Sequence, residues 1–151
     1  MTVRVQRDDF DPGAEIAALG EGRRGIGGVV AFVGLVRDVA GDTALEAMTL
    51  EHYPGMTERK LAAIEAEARA RWPLEASLIV HRYGRLEPGE RIVLVVTASA
   101  HRKAAFEACE FLIDWLKTRA PFWKLEETAE GERWVDARDA DDDAAGRWGE
   151  G

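Results

Sequence analysis

The chain has 151 residues, 46% of them hydrophobic and 32% charged, with a formal net charge of -8. A single domain of this size buries roughly two-thirds of the surface its unfolded chain exposes, and the composition excludes a largely disordered protein. The acidic balance also excludes general nucleic-acid binding, which draws on a clustered basic face; a small anionic ligand needs only a local positive pocket and stays open.

The opening "TVRVQ" alternates and predicts a short edge strand, followed by a weak helix over "PGAEIAALG". Nothing at the N-terminus resembles a signal peptide. The longest nearly continuous apolar run, "GIGGVVAFVGLV", covers 12 residues and falls short of the roughly 20 a membrane helix requires, so a cytoplasmic protein is expected. Residues 29–37 predict a buried strand that emerges into charge at Arg37. "LEAMTLEH" predicts a second strand, broken by "YPG". A surface helix is expected over residues 57–72, with Thr57 as its cap, Glu58 in the first turn and Leu61, Ile64, Ala68 and Trp72 at helical spacing. "ASLIVHRYG" and "RIVLVVTAS" predict an antiparallel pair joined through "EPGE", where Pro88 and Gly89 fit the central positions of a type II turn. A second long helix is expected over about 102–118, then strands in "FWKLEET" and "ERWVDAR" around Glu130 and Gly131. The mixed order argues for an α+β fold with a mixed, largely antiparallel sheet and two main helices, not a doubly wound one. From Asp136 onward the chain holds five Asp and one Glu among small residues, and residues 139–151 are expected to form a flexible acidic tail.

Projection of the second long helix places Lys103, Glu107, Glu110, Asp114 and Lys117 on one polar stripe. Ala105, Ala108, Cys109, Leu112, Trp115 and Leu116 cover the opposite side, so Cys109, the only cysteine, reads as a small core residue. Arg102 projects onto the apolar side near Phe106 and Ile113, where it should either meet an anion or pair with an acid elsewhere in the fold. His101, Arg102 and Lys103 crowd a helix start whose dipole already favours anions, a pattern suited to phosphate or carboxylate. At the other end, "KTRAPFWK" carries three cations in eight positions. Pro121 turns the chain after Lys117 and allows Lys124 to fold back beside it, with Phe122 and Trp123 as shields. Paired ammonium groups in a partly apolar site are suited to acid, base or oxyanion chemistry.

No metal and no cofactor is expected: His52, His81 and His101 lack HxH or HxxxH spacing, and a single cysteine makes neither a disulfide nor a CxxC pair. The glycines at 25, 27, 28 and 34 form no nucleotide-binding loop. "EHYPGMTE" reads as a strand end, a turn and a helix cap. Two further readings of the basic residues stay open, a sensor that binds a phosphorylated small molecule without turnover and an interaction domain whose "RAPFWK" is a hot spot for a partner's tail.

In order and spacing, "FVGLVRD", "LEHYPGMTE", "TASAHRKAAFEA", "LKTRAPFWKLE" and "RWVDAR" resemble the large, catalytic subunit family of molybdopterin synthase, over about residues 28–138. The resemblance implies an α/β hammerhead fold and a single catalytic domain over residues 1–138. It implies a cytoplasmic sulfur-transfer enzyme of molybdenum cofactor biosynthesis that converts cyclic pyranopterin monophosphate into the dithiolene molybdopterin. The sulfur would come from the C-terminal thiocarboxylate of a small ubiquitin-like sulfur-carrier subunit, and the large subunit would form a homodimer with a small subunit at each end. Carried over by position, Lys117 and Lys124 match the family's pocket lysines. Its substrate-contacting segments fall at Leu35, Val36 and Arg37, at His101 and Arg102, and at Lys124, Leu125 and Glu126. Arg138 matches a further basic pocket residue.

Overall fold

A computed structural model describes residues 2–135 and Trp148. In chain order the elements are β1 (Thr2–Gln6), α1 (Pro12–Gly20), β2 (Gly28–Leu35), β3 (Val39–Ala40), β4 (Thr43–His52), α2 (Met56–Arg71), β5 (Leu74–Arg82), β6 (Gly84–Leu86), β7 (Arg91–Ser99), α3 (Arg102–Arg119), β8 (Phe122–Thr128) and β9 (Gly131–Val135). The expected α+β class holds, with the strands divided between two sheets. One runs β1-β5-β7-β2; the other runs β3-β4-β8-β9, with β6 also paired to β4. Among the described strands only the β1–β5 pairing is parallel.

Alternation along the central strands β5 and β7 buries both faces of the first sheet. Ile79, Val93 and Val95 face α2 and α3, whereas Leu78, Val80, Leu94 and Val96 pack with Phe10 and receive Ile16 and Leu19 of α1. The apolar arc expected for α3 is buried residue for residue: Ala105, Ala108, Cys109, Leu112, Trp115 and Leu116 all face inward. The same core continues into the second sheet through Leu45, Met48, Leu50 and Leu86. Trp148, within the stretch expected to fray, packs edge-on against Trp72 and Phe111, and its Nε1 donates to Asp114 Oδ2 at 2.6 Å.

Three local details differ from expectation. The strand expected to be buried, β2, lies at a sheet edge with no buried residue, Val29 being 41% and Leu35 51% exposed. The cap of α2 is Gly55, not Thr57: the backbone there has φ 84°, which favours glycine, and the Glu58 carboxylate accepts from the Gly55 N–H at 2.9 Å. Thr57 is buried one step inside the helix, where its Oγ1 donates to the Tyr53 carbonyl at 2.8 Å and accepts from the Tyr53 N–H at 3.0 Å. Arg102 is exposed and not held on the apolar side, and Phe106 beside it is 61% exposed. The turn at Pro88 and Gly89 forms as expected, with Gly89 at φ 91° and the Glu90 N–H donating to the Glu87 carbonyl at 3.0 Å.

Leu112 is fully buried where α3 meets the core. Leu112→Ala should lower the unfolding free energy by about 2–5 kcal/mol through lost transfer energy and a residual cavity, measured as a shifted urea midpoint with an unchanged slope.

Candidate active site

The site is assembled where three chain segments end. The first is the exit of β2. A bulge between Gly34 and Leu35 interrupts pairing with β7, and Val36 is then held on both sides of its backbone: its N–H donates to the Glu90 carbonyl at 2.9 Å and its carbonyl accepts from Gly89 at 2.8 Å. The turn after β6 thus fixes the point from which Arg37 emerges, next to a buried Val36.

The second segment is the end of α3. Ala120 is extended (φ -72°, ψ 133°), the conformation imposed on a residue that precedes proline, so the helix stops at Arg119 and Pro121 delivers the chain into β8. The third segment is β8 itself, where Phe122, Lys124 and Glu126 share one face by the two-residue period. Leu125 and Trp123 point to the other face.

These segments enclose a cavity of about 330 Å³ lined by Leu35, Val36, Arg37, Lys117, Lys124 and Glu126, with Phe122, Met48 and Ile92 among its apolar walls. The volume lies at the small end of the range for ligand pockets. Glu126 is buried, and its Oε1 accepts from Arg133 Nε of β9 at 3.1 Å, which keeps a carboxylate in place among the lysines.

Not all expected residues meet here. His101 and Arg102 sit at the opposite end of α3, fifteen residues before Lys117 in the case of Arg102, which is about 22 Å at 1.5 Å per residue. Both are exposed, and the Arg102 backbone lies against Gly28 at the start of β2. The side chain of Leu125 faces away from the cavity, although its backbone lies between two lining residues. Arg138 lies outside the described residues. Cys109 is buried, and burial pushes its thiol up to about 12, so it is not a nucleophile at neutral pH. Among the described residues no group of three or more His, Cys, Asp or Glu could hold a metal ion, and no helix is long and apolar enough to cross a membrane.

Sequence spacing gave no sign of a row of rings behind the cavity. His52 and His81, far apart in the chain, both lie near Phe122: His81 stacks on it at 3.8 Å between centroids with planes 17° apart, and His52 lies 6.2 Å from it. Tyr83 follows at 4.4 Å from His52. The only signal was a histidine closing the apolar run "LIV" in β5. Burial lowers the pKa of His81 to about 3; the charges of Lys117, Lys124 and His52 act in the same direction and the hydrogen bond to the Arg82 carbonyl opposes them.

The folded chain therefore keeps His81 neutral where the unfolded chain would protonate it, with an ordinary value of 6.5. This contribution to stability is complete above pH 6.5 and is lost as pH falls toward 3, at up to about 1.4 kcal/mol per pH unit. Comparing urea unfolding of the wild type and His81→Phe from pH 7.5 down to about 4.5 should show the steeper loss in the wild type.

The chain is thus an α+β domain whose small cavity is lined by an arginine and two lysines, groups suited by their charge to a compact anion. Comparison with known proteins narrows this. Residues 5–119 match the MoaE protein family. The molybdopterin synthase catalytic subunit of Pseudomonas aeruginosa is 60% identical over 99% of this chain and 100% of its own length, and that of Mesorhizobium japonicum is 58% identical over 97% and 92%. Among solved structures, the molybdopterin biosynthesis MoaE protein of Burkholderia ambifaria is 56% identical with a TM-score of 0.83, covering 99% of both chains. Molybdopterin synthase of Staphylococcus aureus is 32% identical with a TM-score of 0.82, covering 88% of this chain and 96% of that one. The chain belongs to the MoaE protein family, the family of the molybdopterin synthase catalytic subunit.

Proposed function

We propose that this chain is the sulfur-transferring subunit of a molybdopterin synthase, acting on cyclic pyranopterin monophosphate with sulfur from the thiocarboxylate terminus of a small ubiquitin-like subunit, in the cytoplasm. The observation that carries the reading is the convergence of Arg37, Lys117 and Lys124 on one cavity. A guanidinium at the rim supplies a charge-assisted, forked contact to phosphate, each such hydrogen bond contributing roughly 1.5–3 kcal/mol. The two amines stand deeper, flanked by the apolar wall of Phe122.

In this mechanism the thiocarboxylate sulfur forms a bond to a carbon of the precursor while a C–O bond at that carbon breaks, its oxygen leaving with a proton supplied by the general acid. Water then adds to the acyl carbon, the acyl–sulfur bond breaks, and the partner's terminus leaves as a carboxylate. Lys117 acts as general acid or base for these steps and stabilises the oxyanion on the acyl carbon. Lys124 neutralises phosphate or tunes Lys117, and the buried Glu126 keeps the lysines oriented.

His101 and Arg102, with the exposed Phe106 and Val29 near them, stand too far from Lys117 to serve the cavity of their own chain. A homodimer resolves the separation: from a second copy the two cations reach the neighbouring pocket, while Phe106 and Val29 are covered. Residues 1–138 are the catalytic domain in this reading.

With thiocarboxylated partner and precursor supplied, Lys117→Ala should fold and bind the partner normally yet lose product formation by a factor on the order of 10² or more. Near-normal turnover by that variant, followed by chromatography of the pterin products, removes Lys117 from the mechanism.

A further inference from the structure

Phe122 lines the cavity, whereas His81 and His52 near it stand outside the lining and are each held by a hydrogen bond. His81 Nδ1 lies 2.8 Å from the Arg82 carbonyl, and a carbonyl only accepts, so the proton is on Nδ1 and the ring cannot turn freely. That carbonyl is itself anchored. The Arg82 side chain is buried and donates to the backbone carbonyls of Arg7 and Arg91, each at 3.0 Å. Near Phe122, His52 Nδ1 is 3.2 Å from Thr57 Oγ1, the same hydroxyl that ties Tyr53 to the start of α2. Phe122 is thus stacked on one imidazole and lies near a second, and the other contacts of these rings lead into β5, β4 and α2.

Phe122 is also the first residue of β8, directly after the Pro121 turn, and lies on the same face as Lys124 two residues later. A shift of its ring moves the strand start and, with it, the amine of Lys124. We propose that His81 is a positioning residue for sulfur transfer: by stacking on Phe122 it sets where β8 begins and hence how Lys124 stands relative to Lys117. A histidine suits this place because it offers a flat face to Phe122 and an N–H to the Arg82 carbonyl, and in its neutral form adds no third cation beside the two lysines. The inference rests on the function proposed for the pocket, and its test separates the two.

The test compares His81→Ala, His81→Phe, Phe122→Ala and the double variant His81→Ala/Phe122→Ala, each shown to be folded by circular dichroism at the assay temperature. Steady-state turnover is measured with precursor and thiocarboxylated partner. Independently of turnover, the free chain is reductively methylated with 13C-formaldehyde and the Lys124 dimethylamine resonance, assigned with Lys124→Arg, is followed by NMR. His81→Ala should lower kcat about tenfold or more with little change in KM, and His81→Phe should recover most of it. In the Phe122→Ala background, His81→Ala should cost no more than about twofold further, because its effect passes through that ring. The Lys124 resonance should move in His81→Ala and stay in place in His81→Phe.

Wild-type kcat in folded His81→Ala, fully multiplicative losses in the double variant, or an unmoved Lys124 resonance overturns the proposal. Should His81→Ala not fold, His81→Leu, which keeps volume without a flat ring, takes its place with the same outcomes. Absence of turnover by the wild type itself overturns the functional reading, and the Lys124 resonance then decides the positioning role alone.

Discussion

The inability of proline to continue a helix, and of the residue before it to stay helical, is the constraint on which the pocket depends. Ala120 takes an extended conformation (φ -72°, ψ 133°), so α3 ends two residues after Lys117 and the chain doubles back at once into β8. Two lysines seven residues apart would stand almost two turns apart, on nearly the same side of a continuous helix but about 10 Å along it. Because the helix is interrupted, they line one cavity instead. Everything else about the site supports that turn. The Phe122 N–H donates to the Ala120 carbonyl at 2.8 Å, β8 pairs with β4 from Phe122 opposite His52 onward, and β9 covers its other edge with Arg133 reaching Glu126.

Much of this was legible in the sequence, and what was missed shares a cause. The stripe of α3 was readable because eighteen residues give five turns over which a period can be recognised. The β5–β7 hairpin was readable from its apolar runs and a Pro-Gly turn, although β6 lies between them. β3 and β6, of two and three residues, are too short to carry a period and exist because β4 offers them an edge. The cap of α2 falls at Gly55 and not at Thr57, the better capping residue by type, because the backbone there takes a positive φ that glycine, lacking a Cβ, adopts without strain.

The site was legible as a set of residue types and less so as a geometry. "KTRAPFWK" contains its own turn, so the proximity of Lys117 and Lys124 could be inferred locally. Arg37 joins them through a bulge and through the turn at Gly89 that grips Val36, contacts more than fifty residues apart in the chain for Gly89. The length of α3 keeps His101 and Arg102 away from that cavity. The motif "HYPGMT" has a second use beyond its turn: by bonding both Tyr53 and His52, Thr57 links the helix start to the ring row behind Phe122.

The burial of Cys109 bears on handling as well as on chemistry. Its thiol, 3.9 Å from the Val95 carbonyl and held protonated, is the chain's one sulfhydryl. At neutral pH the folded chain therefore presents no thiolate to form a mixed disulfide. The native protein should likewise resist alkylating reagents, which makes maleimide uptake a convenient gauge of unfolding and leaves surface cysteines, introduced one at a time, free to carry labels unambiguously.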